Sequence, residues 1–477
     1  MPRRHIRVTG APDAPLRAAL TALRSRLGVP EGFPAEVLAE AERAAKAPVL
    51  PSYEATDIPF FTVGRPDAGG LDRATHLSRH GGGYRVRYAV ADLAAFVVPG
   101  GALDAETHRR AITLHFPDRE VPLHPAVLGE GAASLLPDQD RPAVLWTIDL
   151  DAEARTRAVD VRRALVRSRA RLDHADVRRR IDGGTAEEPV ALLKEIGEAR
   201  ERLEVERGGI SLCVPEQEIT ERGAGYDPTF HAPPPAEGWA AQLSLLTGMA
   251  AADLMLANGT GVLRTLPAAP DGAVARLRRT AHALGIDWPH HVSYAALVRS
   301  LDPHHPDHAA FLQECTTLLR GAGCTVFRDG ALPAITTHAA VAAPYAPCTA
   351  PLHRLADRYA AELCLAAAAG QAPPDRVLAA LDALPGRMAE GSRRAGTVER
   401  EVVGLVEAAL LRDRVGEVFD GCVVDLDEHR PTAGTVQLRS PAATGRIEGD
   451  RLPLGERLPV RLTRADPGAA QVLFVPA

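Results

Sequence analysis

Asp72 and Arg73 stand side by side in the glycine-containing stretch GGLDRA, a carboxylate next to a guanidinium. One carboxylate holds a hard divalent ion weakly unless substrate phosphates supply the other oxygens, and its structural alternative is to cap a nearby helix or loop. His353 follows Cys348 by five residues, and His174 and Cys213 lie elsewhere in the chain. Imidazole and thiol serve proton transfer and acyl transfer, so Cys348 with His353 or His174 would make a nucleophile and base if the fold joined them. Otherwise such cysteines are small buried hydrophobes, the commoner fate of a free thiol. Arginines crowd the stretch 162–180, with Arg167 and Arg169 at its centre. Closely spaced arginines can track phosphates along a strand of RNA, or form a solvated face balanced by glutamates. The histidine pairs at 290–291 and 304–305 read as surface or packing residues.

The chain that positions these groups has 477 residues, enough for two to four domains and at least one large core. Its net charge of −6 argues against coating nucleic acid by bulk charge, while leaving room for a basic channel inside an acidic body. The six cysteines form no CxxC pair, which argues against a zinc site, and they suit a reducing cytoplasm. MPRRHIRVTG has no apolar run behind its basic residues, and no uninterrupted apolar window reaches about 18 residues, so neither a signal peptide nor a membrane span is expected.

Residues 1–50 read as a short strand, RHIRVTG, followed by two helices that make a small N-terminal cap. From 51 to 160, short β-rich pieces such as YRVRYAVADLAAFVV and AVLWTIDL predict a mixed sheet. The basic stretch 161–210 reads as helical, ending at Gly208-Gly209. Residues 237–258 are apolar nearly all round and predict a buried helix. The last sixty or so residues alternate in short pieces separated by glycine turns, the pattern of a small OB-type barrel.

Several ordered blocks carry a resemblance. TVGRPDAGGLDRA is similar to the T-I-D-x-x-x-x-x-D-[LI]-D-[DQ]-A opening of the RNB catalytic domain of the ribonuclease II/R family, and YRVRYAVAD to the strand that follows it. FPDREVPLHP, ALVRSRARLDHADV, the 239–258 helix with Arg264 behind it, and YAPCTAPLHRLADRY resemble later blocks of that family, and the terminal barrel its OB domain. The resemblance implies an α/β (α+β) RNB-like domain over 51–413, an OB-type RNA-binding barrel over 414–477, and the helical cap over 1–50. It also implies 3′→5′ exoribonuclease chemistry, with clustered aspartates on magnesium, an arginine on the phosphate and a tyrosine on the base.

Carried over position by position, the first aspartate becomes Gly64, the second Gly70, the third stays as Asp72, and the fourth position, Asp or Gln in the family, is Arg73. The phosphate-binding arginine becomes His353, the serine before Pro351 becomes Ala350, and the tyrosine becomes His174. Magnesium would then be held weakly, if at all, by Asp72, with Asp57 and Asp67 as substitutes close in sequence. Arg73, Arg167, Arg169, Arg264 and Arg354 are the expected RNA contacts, and Asp72, His353, His174 and Cys348 the expected chemical groups. Three functions are open: an RNA-end binder with lost or reduced cutting, a working magnesium exoribonuclease, and an enzyme repurposed for aminoacyl-tRNA through His/Cys chemistry.

Overall fold

The computed structural model describes residues 5–9, 15–65, 69–222, 225–319, 321–469 and 471–477. Strand β1 (His5–Thr9) and helices α1 (Pro15–Arg26) and α2 (Ala35–Lys46) open the chain. The barrel that follows is built from β2 (Glu54–Val63), β3 (Arg73–His80), β4 (Gly83–Ala91), β5 (Asp140–Leu150) and β6 (Thr156–Leu172), and it is closed. Neighbouring strands run antiparallel until β6 returns parallel to β2 and shuts the ring. The mixed sheet expected here is therefore a barrel without edges. Fully buried Leu77, Val86, Trp146 and Ile148 fill one side of its strands, because residues two apart share a face.

The basic stretch corrects the sequence reading. Residues 161–172 are the second half of β6, and helix α4 begins only at His174. Ala164, Val166 and Ser168 are buried while Arg167 and Arg169 face outward, a period of two that the density of arginines obscured. Asp173 then caps α4, accepting the Asp176 N–H at 2.6 Å.

Helix α3 (Ala102–Arg110) follows β4, and α5 (Glu188–Glu206) follows α4. A hairpin of β7 (Glu216–Arg222) and β8 (Gly225–His231) pairs through β7 with β1 in parallel, so the N-terminal strand is part of a three-stranded sheet. Helix α6 (Pro235–Ala257) is the one helix among the described residues long and apolar enough to cross a membrane by length and composition. Its Leu243, Leu246, Ala251 and Met255 are buried in the main core with α5 and with α7 (Leu355–Ala368), as its all-round apolar sequence predicts. A second closed barrel, of five strands between Val418 and Pro476, ends the chain around Val423, Val436, Val460 and Phe474.

Candidate functional site

Asp72 ends the described stretch 69–72, directly before β3 begins with Arg73. The 127–135 segment clamps this stretch: Leu71 N–H donates to Ser134 Oγ at 2.8 Å, and Leu135 N–H to the Leu71 carbonyl at 2.9 Å. Asp72 O accepts from Ala91 N–H at 2.8 Å on the other side. A turn at 350–354 then closes on the carboxylate. Leu352 N–H donates to Asp72 Oδ1 at 2.8 Å, and His353 Nε2 lies 3.3 Å from Asp72 Oδ2. The turn itself is anchored to Thr113, whose N–H donates to His353 O at 2.9 Å and whose Oγ1 lies 3.3 Å from His353 Nδ1. Asp72 thus clasps a segment remote in sequence and caps no local helix.

Burial pushes the Asp72 carboxyl above the usual carboxylate range, against the pull of His353, Arg73 and the Leu352 N–H. Arg73 is exposed, yet it touches buried groups: its Nη1 donates to Ser244 Oγ at 2.7 Å, and the same hydroxyl lies 2.7 Å from Tyr88 Oη. An exposed guanidinium with buried partners (Ser244 at 9% and Tyr88 at 4% accessibility) lines a recess rather than the outer surface. Tyr88, with Asp72 behind it, raises the Arg73 pKa and keeps it cationic. His174 is near enough to feel Arg73; burial, and then Arg73, push its pKa down to about 4, so its imidazole is neutral.

Arg354 donates to Asp357 Oδ1 at 2.8 Å, and Asp357, fully buried, also accepts from Ala350 N–H at 2.7 Å. Burial opposes the charge of Arg354, but Asp357 outweighs it and holds Arg354 protonated. Burial and the neighbouring Arg354 lower the pKa of Arg264. The structure therefore gathers Asp72, Arg73, His174, His353, Arg264 and Arg354 into one charged neighbourhood. Arg167 and Arg169 stand apart on β6. Arg167 is paired with Asp140 at 2.6 Å, and Arg169 donates to Thr56 O at 2.6 Å.

Cys348 does not fit the role of nucleophile. It is 1% accessible, it belongs to the main apolar core, and burial, with Cys364 adjacent, raises its thiol well above the usual range. An activated thiol needs the opposite shift. Sequence reasoning missed Tyr88, Ser244, Thr113 and Asp357. Ser244 had a signal, since Gln242, Ser244 and Thr247 interrupt an otherwise apolar helix.

Magnesium does not fit the residues present. Asp72 has both oxygens engaged, and among the described residues no group of three or more His, Cys, Asp or Glu side chains is placed to hold a metal ion. Asp57 is exposed on β2, and Asp67 lies outside the described residues. A Cβ at Gly70 would fall 2.5 Å from Gly129 O and 3.2 Å from Leu352 Cδ1, whereas among the described residues one at Gly64 would meet only Leu71 Cδ2, at 3.8 Å. Space for a side chain is left at Gly64 and is closed at Gly70.

Two family models match the chain: the RNB domain over residues 53–369 and the RNase II-type exonuclease C-terminal S1 domain over residues 417–477. Ribonuclease R of Acidithiobacillus ferrooxidans is 31% identical over 182 residues, covering 37% of this chain and 41% of that protein. Ribonuclease R of Escherichia coli is 31% identical over 164 residues, which is 20% of its length, so the matched stretches span less than half of these relatives. Ribonuclease R of Aquifex aeolicus is 25% identical over 98% of this chain and 71% of its own. Among solved structures, Mycoplasma genitalium RNase R in complex with ribose-methylated single-stranded RNA superposes with a TM-score of 0.79 at 17% identity, over 98% of this chain and 79% of that one. Yeast Ssd1, a pseudonuclease, superposes with a TM-score of 0.63 at 13% identity, over 89% and 53%. With its closed barrel, its RNB match over most of the chain and its S1-type terminal barrel, the chain belongs to the RNB-domain family of ribonuclease II/R proteins.

Proposed function

We propose that the recess beside Asp72 receives the 3′ end of a single-stranded RNA, the acceptor end of a tRNA included, and that phosphodiester hydrolysis there is lost or strongly reduced. One observation carries the reading: the surviving carboxylate is already committed to Leu352 N–H and His353, and the Gly70 position is walled by Gly129 O. Arg73, Arg264 and Arg354 supply the positive charge that an RNA backbone needs, in a protein that is acidic as a whole. The reducing cytoplasm suits its six free cysteines. The test measures binding and degradation of one labelled single-stranded RNA by the pure protein, with and without magnesium. Salt-sensitive binding with slow or absent degradation is expected. Rapid magnesium-dependent release of mononucleotides would overturn the reading in favour of a working exoribonuclease.

A second reading has its own observation. His353 lies between Asp72 Oδ2 and Thr113 Oγ1, at 3.3 Å from each, a carboxylate–imidazole–hydroxyl chain of the kind that moves protons in acyl transfer. Thr113 is only 5% accessible, so it orients the ring, and the attacking group would come from a co-substrate. Consumption of an aminoacyl-tRNA without magnesium, abolished by His353→Ala, is the expected result of this chemistry. Indifference to acylation of the RNA 3′ end would end it.

A further inference from the structure

The polarity of the recess is the reverse of what a cation site needs. The neighbouring Arg354 meets a carboxylate, Asp357, at 2.8 Å. Arg73 does not. Its hydrogen-bond partner is the hydroxyl of Ser244, Tyr88 lies beside it, and no carboxylate among the described residues is within ion-pair reach of its guanidinium. A guanidinium offers five N–H donors in a planar fork, so most of those on Arg73 remain available to a ligand. The neighbouring imidazole of His174 is neutral and brings no charge of either sign. Among the described residues, a Cβ at Gly64 would meet Leu71 Cδ2 at 3.8 Å, an ordinary contact that leaves the position able to take a side chain.

A cationic fork held by a neutral hydroxyl, beside a carboxylate that is already engaged, selects an anion directly. A 3′-hydroxyl end presents no charge beyond its last phosphodiester, for which Arg264 and Arg354 already stand nearby. A 3′-phosphate monoester adds about −1.5 to −2 charges near neutral pH and acceptor oxygens that match a guanidinium in a bidentate pair. We infer that the RNA end favoured by this recess carries a terminal phosphate monoester, held by Arg73. The inference rests on the RNA-end reading above and adds the chemistry of the end.

The test is fluorescence anisotropy of the full chain with two 5′-labelled single-stranded oligonucleotides of one sequence, ending in a 3′-hydroxyl or a 3′-phosphate. EDTA is present throughout and salt is held constant. The phosphorylated end is expected to bind about tenfold tighter, the size of one charge-assisted hydrogen bond. Arg73→Gln should bring the ratio to about one, and Arg73→Lys, which keeps the charge without the fork, should leave part of it. Equal affinity of the two ends for the wild-type chain, or a ratio that Arg73→Gln leaves intact, overturns the inference while leaving RNA-end binding standing. Failure of both oligonucleotides to bind overturns RNA-end binding and this inference together. Inorganic phosphate as competitor separates the sources: release of the phosphorylated RNA at micromolar phosphate would make the free anion the ligand and overturn the assignment to RNA ends.

Discussion

Returning the two vanished carboxylates one at a time separates a site that has merely been substituted from one that has been closed. At Gly64 a new Cβ meets Leu71 Cδ2 at 3.8 Å, an ordinary van der Waals contact. Gly64→Asp should therefore stay within about 0.5 kcal/mol of the parent, the range of substitutions that disturb no packing. At Gly70 the same atom falls 2.5 Å from Gly129 O, a backbone group that cannot rotate away. Relief requires moving the segment that also holds Leu71 through Ser134 Oγ and Leu135 N–H. Overpacking of this kind costs about 1–3 kcal/mol. A carboxylate facing a carbonyl oxygen, both acceptors, adds to that cost. With an m-value of about 3 kcal/mol/M, a loss of about 2 kcal/mol lowers the urea midpoint by about 0.7 M. The assay is urea unfolding followed by tryptophan fluorescence, to which fully buried Trp146 in the first barrel contributes. Cleavage of single-stranded RNA in magnesium is measured on the same samples. Gly70→Asp should lose stability and gain no cleavage, alone or with Gly64→Asp and His353→Arg. A Gly70→Asp chain as stable as the parent, or a triple variant that cuts at the rate of an intact relative, would refute the argument that Gly129 closes the site.

Other predictions follow from single contacts. Arg167→Ala with Arg169→Ala should flatten the salt dependence of RNA binding by about 0.7 in log–log slope, one phosphate's worth for a single strand, because Asp140 already neutralises Arg167. A slope change twice that size, or none, would show that the pairing has been misjudged. His174 has its pKa depressed to about 4 from 6.5, so the unfolded chain binds a proton that the folded chain refuses between those values. Stability should be level above about pH 6.5 and fall as pH drops toward 4; His174→Tyr should reduce that fall, leaving the share due to His76, His108, His124 and His338, which are shifted the same way. Urea midpoints from pH 4.5 to 7.5 check it, and an unchanged slope in the variant would count against it. Cys348, buried with a raised thiol pKa, should resist iodoacetamide in the native protein and react only on unfolding; rapid native-state labelling of Cys348, read by mass spectrometry, would place it on the recess wall instead.

What could be read from the amino-acid order divides along the range of the interactions. The terminal barrel, the apolar α6 and the strands through Tyr84 and Trp146 carry local periodicity and were legible. The run through Arg167 and Arg169 was misread as a helix, because arginine density was weighed above the alternation of Ala164, Val166 and Ser168. The pairing of β1 with β7 joins residues some two hundred apart and leaves no local mark. At the site, the positions of Asp72, Arg73, His174 and His353 followed from motif resemblance, and the structure brings them to one charged neighbourhood. The contacts that decide their chemistry could not be read that way. Leu352 N–H reaches Asp72 across 280 residues, Gly129 O stands over Gly70, and Cys348 faces the core. Each depends on how backbone segments approach one another, which a residue type at one position does not encode.

The same contacts bear on whether the site has decayed or has been rebuilt. A carboxylate replaced without purpose would leave its former partners unsatisfied, at about 1–3 kcal/mol for each buried polar group. Here the substituted Arg73 is provided for, although Arg354 Nε and Asp357 Oδ2 nearby have no hydrogen-bond partner among the described residues. Arg73 donates to a Ser244 hydroxyl that Tyr88 also engages, Asp72 accepts Leu352 N–H in a turn that Asp357 and Thr113 hold from the other side, and the 127–135 segment closes over Gly70. Three elements distant in sequence, the 69–72 stretch, the 350–354 turn and α6, agree on one arrangement in which a guanidinium is presented to solvent at the end of a recess. Loss of function alone has no reason to produce that agreement. Among the described residues Arg73 is held by a serine and a tyrosine with no carboxylate in ion-pair reach, and the affinity ratio between phosphorylated and hydroxyl RNA ends, with its dependence on Arg73, is the measurement that tests whether it holds an anion.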